Sequence, residues 1–261
     1  MSATSKALLV LVVILSSLTA VVLIVAQEEH PPHWTYEGEE GPDHWGELDP
    51  AFEACATGAE QSPIDLTNAE AFDLVDVQTN YQPSALTILN NGHTIQANYD
   101  VGSTMVVNGL TYDLLQFHFH TPSEHTIDGE AFPLEVHFVH RNAEGGLAVI
   151  GVMLVEGEAE NDAYAPVFAA MPAEEAEPDA VEGVTIDANV MLPEDQLYYT
   201  YRGSLTTPPC SEGVRWIVMT TPVELSAAQI EAFQAIFELN ARPVQDIFER
   251  GLLVDSTTGQ P

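Results

Sequence analysis

Residues 115–120 read Leu-Gln-Phe-His-Phe-His, and this alternation of polar and aromatic side chains has the period of a β-strand. Successive side chains of a strand point to opposite faces, so His118 and His120 share one face of the predicted strand. A second run, Leu-Glu-Val-His-Phe-Val-His at residues 134–140, places His137 in the middle of another strand. The connection is long enough to bring this strand back beside the first. The sequence therefore predicts a sheet across which three imidazoles converge.

Strand patterns also dominate the rest of the chain after about residue 50. Asn-Gly, Asp-Gly and Gly-Gly pairs, which are typical of turns, separate the runs. There is no evident repeat or domain boundary, so we expect one sheet-based domain. The alternating or β-rich runs are Leu86–Leu89, Thr94–Tyr99, Thr104–Val107, Leu114–His120, Glu135–His140, Leu147–Val155, Leu197–Tyr201 and Val214–Thr220.

Helical patterns are few. The best one covers Ser226–Leu239, where Ser226 and Gln229 form a capping box and apolar side chains recur on one face. Asp162–Ala170 is a shorter candidate. The stretch Pro172–Glu182 contains five acidic residues and two prolines, which predicts a solvated surface loop. From Glu28 to about Asp49 the chain lacks periodicity, and we expect an irregular arm packed by its aromatic rings.

The chain is extremely acidic. Its 261 residues include 40 Asp and Glu against 6 Lys and Arg, which gives a net charge of -34 at pH 7. Nucleic acid is excluded as a partner, because binding phosphates requires clustered Lys and Arg. Self-repulsion at this charge lowers stability unless salt screens it, so a saline habitat is one hypothesis. An acidic extracellular protein without any link to salt is the alternative.

The N-terminus separates from the rest, because residues 7–26 follow Lys6 without any charge and are mostly Leu, Val, Ile and Ala. This segment predicts either a cleaved signal peptide or a retained membrane anchor, and the sequence favours neither. Either way, the remainder is expected to be exported, to the periplasm, the extracellular space or the cell surface. In an oxidising compartment Cys55 and Cys210 are expected to form a disulfide, and two buried inert thiols are the alternative.

Three neutral imidazoles at one place suit zinc. Zinc is usually tetrahedral, and three protein ligands leave its fourth position for water, which is the arrangement of a catalytic site. For a single histidine, a hydrogen-bonded place in the core is the ordinary interpretation. Two imidazoles buried side by side without a metal would leave polar groups unsatisfied, so their pairing favours metal binding.

The histidine pattern is accompanied by a similarity to a known family that runs over about Trp34 to Phe248 and rests on seven separated motifs. They are Gln61-Ser-Pro-Ile-Asp65, Asn90-Asn-Gly-His93, Gln116-Phe-His-Phe-His120, Ser123-Glu-His-Thr126, Glu135-Val-His-Phe-Val-His140, Gly146-Leu-Ala-Val-Ile-Gly151 and Tyr201-Arg-Gly-Ser-Leu-Thr-Thr-Pro-Pro-Cys-Ser-Glu212. In these motifs and in their order, the chain resembles the alpha-class carbonic anhydrases. Both cysteines lie where many exported members of that family carry a disulfide.

The resemblance implies a mainly β fold: a central, largely antiparallel, ten-stranded twisted sheet with small helices on its surface. It also implies cis peptide bonds at Ser62-Pro63 and Pro208-Pro209. The expected organisation is a signal peptide or anchor at 1–26, the catalytic domain at 27–254 and a C-terminal tail at 255–261. The resemblance does not set the oligomeric state, and any contact with a membrane would be made by the N-terminal segment alone.

The resemblance further implies that His118, His120 and His137 bind one catalytic zinc ion. The expected reaction is the reversible hydration of carbon dioxide to bicarbonate and a proton through attack by zinc hydroxide, with ester hydrolysis as a side activity. Hydrogen bonds are expected to fix the three rings, from His118 to Gln116, from His120 to the Asn240 main-chain carbonyl and from His137 to Glu135.

Other roles follow from the same resemblance. Thr206 is expected to donate its hydroxyl proton to buried Glu124 and so to orient the zinc hydroxide, while Thr207 contacts bicarbonate. His93 matches the histidine that carries the proton to solvent. The expected apolar wall for carbon dioxide is formed by Val139, Val149, Leu205 and Trp216, and the expected water network by Tyr36, Asn91 and Gln96.

A non-catalytic binding domain is the competing hypothesis, because relatives of that kind have lost zinc ligands. All three ligands, Thr206 and Glu124 are present here. His125 is expected to be structural, and no catalytic role is assigned to the other histidines.

Overall fold

One large twisted sheet organises residues 32–256, the part of the chain that this computed structural model describes. The predicted signal peptide or anchor lies outside these residues, and none of the helices within them is long and apolar enough to cross a membrane. The thirteen strands of the described sheet are β1 (Glu70–Phe72), β2 (Gln78–Asn80), β3 (Ser84–Asn90), β4 (Ile95–Asn98), β5 (Thr104–Val107), β6 (Leu110–His120), β7 (Leu134–Asn142), β8 (Leu147–Gly157), β9 (Ala176–Ile186), β10 (Tyr198–Ser204), β11 (Glu212–Met219), β12 (Val223–Ser226) and β13 (Leu253–Asp255).

Ten strands form a continuous path in the order β1-β13-β10-β11-β8-β7-β6-β4-β3-β9. The short strands β2, β5 and β12 lie off this path, β5 beside β6 and β2, and β12 beside β8. Three of the pairs are parallel, β1 with β13 and β8 with both β11 and β12, and the remaining pairs are antiparallel. The predicted fold, a mainly β domain with a largely antiparallel sheet, is confirmed.

Strands β6, β7 and β8 lie at the centre of the sheet, and both of their faces are covered. On one face Phe117, Phe119 and Phe138 are fully buried in the main hydrophobic core. On the other face a second apolar cluster includes Trp216, whose ring centroid lies 4.8 Å from that of His137. The alternation that predicted β6 therefore separates a wholly apolar face from the face that carries the histidines.

The helices are short: α1 (Trp45–Leu48), α2 (Ala54–Thr57), α3 (Ala165–Ala170) and α4 (Ala227–Gln234), with 3-10 turns at Gly38–Glu40, Pro50–Phe52 and Ala188–Met191. Helix α4 begins as predicted, with Ser226 and Gln229 forming the capping box. It ends at Gln234 rather than at Leu239. The chain beyond it turns back to the sheet, where the Asn240 N–H donates to the Thr121 carbonyl at 3.0 Å.

The prediction of a loop at Pro172–Glu182 is wrong, because most of this stretch belongs to β9. This strand forms one edge of the sheet and pairs with β3, with Ala176 opposite Asn90 and Ala180 opposite Thr87. An edge strand has a partner on one side only, and most residues of β9 are exposed. Backbone pairing therefore holds β9 although its composition is acidic and contains Pro178.

A disulfide and the hydrogen bonds of two arginines connect loops that are distant in the sequence. The predicted disulfide between Cys55 and Cys210 is present, and the cis peptide bonds are Ser62-Pro63, Thr121-Pro122 and Pro208-Pro209. The buried Arg242 guanidinium donates to Gln61 Oε1 (2.9 Å) and to the carbonyls of Ser62 (2.8 Å) and Cys55 (3.0 Å). Arg250 donates to the carbonyls of Gln61 and Arg202, at 2.8 and 2.9 Å.

Candidate metal centre

The three histidines predicted to bind a metal lie together on β6 and β7. His118 is directly opposite His137 in the antiparallel pairing, and His120 follows on the same face of β6. Each ring offers one nitrogen to a common point, and these nitrogens all lie within 4.8 Å of one another. His120 and His137 are buried, whereas His118 is half-buried, so the cluster is reached from one side.

The second nitrogen of each ring is held by a hydrogen-bond acceptor. His118 Nδ1 lies 2.9 Å from Gln116 Oε1, His120 Nδ1 lies 2.7 Å from the Asn240 carbonyl, and His137 Nε2 lies 2.8 Å from Glu135 Oε1. These acceptors fix the tautomers, because each bonded nitrogen must carry the proton. His118 Nε2, His120 Nε2 and His137 Nδ1 are then lone-pair donors.

These residues fit a zinc ion. His120 Nε2 is buried and has no hydrogen-bond partner among the described residues, an arrangement that a metal bond would satisfy. Burial lowers the pKa of all three rings, that of His120 to about 4, so they are neutral as zinc ligands must be. A second group, His125 with Glu135 and His137, is also close enough for a metal. In this second group the nitrogens His125 Nδ1 and His137 Nε2 are already hydrogen-bonded to Glu135. The three-histidine group is therefore the better metal site.

Glu124 is fully buried beside this cluster. Its Oε1 accepts from the Arg242 N–H at 2.9 Å, while Oε2 lies 3.5 Å from His120 Nε2 and 3.8 Å from His137 Nδ1. Burial raises the pKa of Glu124 to about 7, and His137, the Thr206 hydroxyl and the Arg242 N–H each act to lower it. The carboxyl group therefore faces the two nitrogens that are free for a metal.

Thr206 lies next to Glu124 and is buried. Its hydroxyl is close enough to lower the pKa of Glu124, but Glu124 Oε2 has no partner of regular hydrogen-bond geometry within the described residues. Thr207 follows at a half-buried position, and its carbonyl accepts from the Cys210 N–H at 2.8 Å. The structure thus brings Thr206 and Glu124 together, in contact rather than in an ideal hydrogen bond.

The four apolar residues expected to line the pocket belong to one cluster. Val149 and Trp216 are buried, and Val139 and Leu205 are partly buried against them. The Trp216 indole N–H donates to the Ser204 carbonyl at 3.0 Å, which fixes the ring beside His137. A dry wall therefore borders the histidine cluster on one side.

His93 lies against the N-terminal arm. Its ring stacks on Trp34, with centroids 3.6 Å apart and planes 6° apart. Burial lowers the pKa of His93 and His33 lowers it further, whereas Glu175 raises it. The His93 carbonyl accepts from the Asn240 side-chain amide at 3.0 Å, so the residue that holds the His120 ring also holds the His93 loop.

The three residues expected to order water occupy different surroundings. Tyr36 packs edge-on against Trp34, with ring centroids 5.3 Å apart. Asn91 Oδ1 accepts from the N–H groups of His93 (3.0 Å) and Thr94 (2.9 Å), so it shapes the turn. Gln96 pairs with His118 across β4 and β6.

Several contacts at the site were not predicted from the sequence. The stacking of Trp34 on His93 joins segments far apart in the chain, and the only indication was the aromatic content of the arm. Arg242, whose N–H holds Glu124, carries no motif of its own. The other unforeseen residues are Tyr201 and Ser62, which lie in hydrogen bonds behind Glu135.

Residues 40–253 match the family model described as eukaryotic-type carbonic anhydrase. A carbonic anhydrase from Nostoc sp. is 46% identical over 222 residues, which cover 83% of this chain and 84% of that protein. One from Pectobacterium carotovorum is 47% identical over 218 residues, covering 82% and 88%. Among solved structures, the alpha-carbonic anhydrase of Thermovibrio ammonificans in complex with the inhibitor sulfanilamide aligns with a TM-score of 0.83 at 43% identity. That alignment covers 86% of this chain and 100% of the other.

Proposed function

Because the chain belongs to the eukaryotic-type, or alpha-class, carbonic anhydrases, we propose that it hydrates carbon dioxide at a zinc ion held by His118, His120 and His137. Family membership makes the chain a carbonic anhydrase with carbon dioxide and bicarbonate as its reactants. The observation that carries the zinc proposal is the convergence of three ring nitrogens, each with its opposite nitrogen already bonded. When bound, zinc supplies the Lewis acidity by which carbonic anhydrases as a family lower the pKa of water toward neutrality.

Thr206 and Glu124 have the proposed role of orienting the attacking oxygen. A carboxylate only accepts hydrogen bonds, so a threonine hydroxyl that donates to Glu124 presents its own oxygen as an acceptor. Thr206 then accepts a hydrogen bond from the oxygen that reacts, and it discriminates against species that have no proton to donate. The contact between the two side chains and the anchoring of Glu124 by the Arg242 N–H support this role.

The apolar cluster of Val139, Val149, Leu205 and Trp216 has the proposed role of holding carbon dioxide. The substrate is small and offers little to hydrogen-bond, so it gains most from a preformed dry wall. Thr207, at the next position after Thr206, is proposed to contact bicarbonate. An activated ester presents its carbonyl carbon to the same centre, and we propose slow ester hydrolysis as a side activity.

His93 is proposed to carry the product proton to solvent. Its imidazole is half-buried, so it can exchange protons with both the site and bulk water. Replacement by alanine, His93→Ala, should slow turnover in weakly buffered solution, and added imidazole should restore it. A rate insensitive to both changes would remove the role.

Zinc content and carbon dioxide hydration, measured on wild type and His118→Ala, test the proposed function. We expect wild type to hold one zinc per chain and His118→Ala to lose both the metal and the activity. His44→Ala, at an exposed position, is the matched control and should keep both. An active, zinc-free His118→Ala enzyme would refute the mechanism.

The proposed place of action is outside the cytoplasm. The Cys55–Cys210 disulfide supports export, because such bonds persist in oxidising compartments. Mass spectrometry of the protein from an exporting host decides between a cleaved signal, with a mature chain beginning near residue 27, and a retained anchor.

A further inference from the structure

A chain of buried hydrogen bonds leads away from the metal-binding histidines through Glu135. Glu135 Oε1 lies 2.8 Å from both His137 Nε2 and His125 Nδ1, and Oε2 accepts from two backbone N–H groups at 2.9 Å. His125 Nε2 lies 2.6 Å from the Tyr201 hydroxyl, which lies 2.9 Å from Ser62 Oγ. All five side chains are buried, so no water competes for these bonds.

The chemistry of the two ends gives this chain a direction. The Glu135 carboxylate can only accept, so His125 donates to it from Nδ1. A neutral His125 then accepts at Nε2, and the Tyr201 hydroxyl is its donor. Ser62 completes the chain by donating to the Tyr201 oxygen while its own oxygen accepts from the Ser204 N–H at 3.0 Å. In this arrangement every polar side-chain atom of Glu135, His125, Tyr201 and Ser62 has a hydrogen-bond partner.

The far end of the chain lies at the end of β10, two residues before Thr206. Ser62 and Ser204 exchange two bonds, since the Ser62 N–H also donates to Ser204 Oγ at 2.9 Å. Their approach requires glycine at 203, because a Cβ there would lie 2.1 Å from Ser62 Oγ and 2.8 Å from a Tyr201 ring carbon. One continuous network thus joins a metal-binding histidine to the end of β10, the strand that leads into the Thr206 segment.

We propose that Tyr201 is a positioning residue: through His125 it holds the Glu135 carboxylate in the orientation that fixes His137, and it thereby increases the affinity of the site for zinc. The inference rests on the proposed zinc site and adds a residue three hydrogen bonds away from it. Residues that hydrogen-bond to a metal ligand generally increase the affinity of the site for the metal. Glu135 is such a residue for His137, so a restraint on Glu135 also restrains His137.

The substitution Tyr201→Phe isolates the hydroxyl. The ring is held independently, stacked at 7° on Trp216 and covered by the Arg250 guanidinium 5.7 Å from its centroid. Tyr198→Phe is the matched control, because Tyr198 is also buried on β10 and its hydroxyl donates to the Val75 carbonyl at 2.7 Å, outside the network. Tyr201→Phe removes the hydrogen bonds of its hydroxyl to His125 and Ser62, and Tyr198→Phe removes a single hydrogen bond of the same strand.

The experiment measures the zinc dissociation constant of full-length protein by competition with a chelator, together with the thermal stability of the zinc-free form. Losing a direct partner of a metal ligand costs roughly 10–100-fold in affinity, so we expect about fivefold weaker zinc binding for Tyr201→Phe. Tyr198→Phe should bind zinc as wild type does, although both variants lose thermal stability. The ¹⁵N resonance of His125 Nε2 should shift in Tyr201→Phe alone.

Equal zinc affinity in wild type, Tyr201→Phe and Tyr198→Phe would overturn the positioning role and leave the zinc site intact. A wild-type protein without tight zinc binding would overturn both proposals. If Tyr201→Phe does not fold, Ser62→Ala takes its place, because it removes the far end of the chain and keeps Tyr201. Weaker zinc binding by Ser62→Ala supports the role, and unchanged binding contradicts it.

Discussion

At each of the three histidines proposed to bind zinc, one hydrogen bond decides which ring nitrogen is available. Gln116 and the Asn240 carbonyl hold the two rings of β6 at Nδ1, whereas Glu135 holds the ring of β7 at Nε2. The rings of β6 and the ring of β7 therefore present different nitrogens, Nε2 from His118 and His120 and Nδ1 from His137. Fixed acceptors supply this difference before any metal arrives, which is the kind of preorganisation that metal sites require.

The first prediction concerns the hydroxyl of Thr206. Thr206→Val keeps the shape of the side chain but removes the acceptor that is proposed to orient the reacting oxygen, and misplacement of a reacting group costs on the order of 100-fold in rate. Thr206→Ser keeps the hydroxyl and should retain most of the activity. Stopped-flow carbon dioxide hydration at saturating buffer measures the ratio, and equal rates for Val and Ser would contradict the assignment.

The second prediction concerns His140, which is fully buried with Nε2 2.8 Å from the Tyr81 hydroxyl. Burial lowers the pKa of His140 from 6.5 to about 4. Between these values the unfolded chain binds a proton that the folded chain does not, so folded stability falls as the pH drops from 6.5 toward 4. His140→Gln should reduce the loss of unfolding free energy between pH 7 and 4.5 by roughly 2 kcal/mol.

Urea unfolding across that pH range measures the effect of His140→Gln, and each variant is compared with itself at pH 7. His44→Gln removes an exposed imidazole and serves as the control. A pH dependence of His140→Gln that parallels wild type would show that His140 is not the titrating group.

The proposed ligand set could be predicted from the sequence because strand alternation and separated motifs are local patterns. His118 and His120 share a face in any strand, and the Thr206 segment carries a long motif. The stacking of Trp34 on His93 and the bonds from Tyr201 to His125 depend on how distant segments meet. No local pattern encodes such contacts, so they required the structure.

Among the elements, β9 differs most from its prediction, and it also brings charge to the site. Glu175 immediately precedes this strand, and its carboxyl group lies near Gly92, where an added Cβ would be 3.6 Å from it. The pairing of Ala176 with Asn90 fixes that position. An acidic edge strand thus places a negative charge beside the His93 loop.

The third prediction follows from this charge. Glu175 raises the pKa of His93, so Glu175→Gln should lower it. His93 accepts a proton only when neutral, and a lower pKa keeps it neutral at more acidic pH. At low buffer concentration, the acid limb of the pH profile of the turnover rate should therefore move to lower pH. The midpoint of the His93 titration measured by NMR should move in the same direction.

Glu182→Gln is the matched control for Glu175→Gln, because it lies exposed toward the other end of β9. It should leave both titrations unchanged. An NMR shift without a change in the turnover profile would show that His93 is not the proton carrier, and no NMR shift would contradict the electrostatic argument itself.

The strands that the sequence predicted are those with a buried face. Thr104–Val107 was predicted to the residue, and the central strands differ only at their ends. Strands β1, β2, β12 and β13 each have at most one buried side chain, so no alternation of buried and exposed positions marks them. Strand β9 is long but has almost no buried face, so its hydrophobic pattern is absent and only backbone pairing defines it.

For the whole molecule, the few positive charges do little to neutralise the surface. Of the chain's six Lys and Arg, Arg242 and Arg250 direct their guanidinium groups at backbone carbonyls around the Ser62–Pro63 segment. These two arginines connect loops instead of balancing the 40 acidic residues. The surface therefore depends on solvent ions for compensation.

The fourth prediction is that the melting temperature rises from 0.1 to 1 M NaCl, because the screening length falls from about 10 to about 3 Å and the acidic groups repel one another less. The combined variant Glu158→Gln, Glu160→Gln and Glu224→Gln removes three exposed charges that line one surface hollow, and its melting temperature should respond less to salt than that of wild type. Sucrose strengthens burial without screening, so it should stabilise both proteins equally. A wild-type melting temperature that stays level or falls with salt would end the saline-habitat hypothesis. A variant that responds as steeply as wild type would show instead that salt acts through general exclusion rather than through these charges.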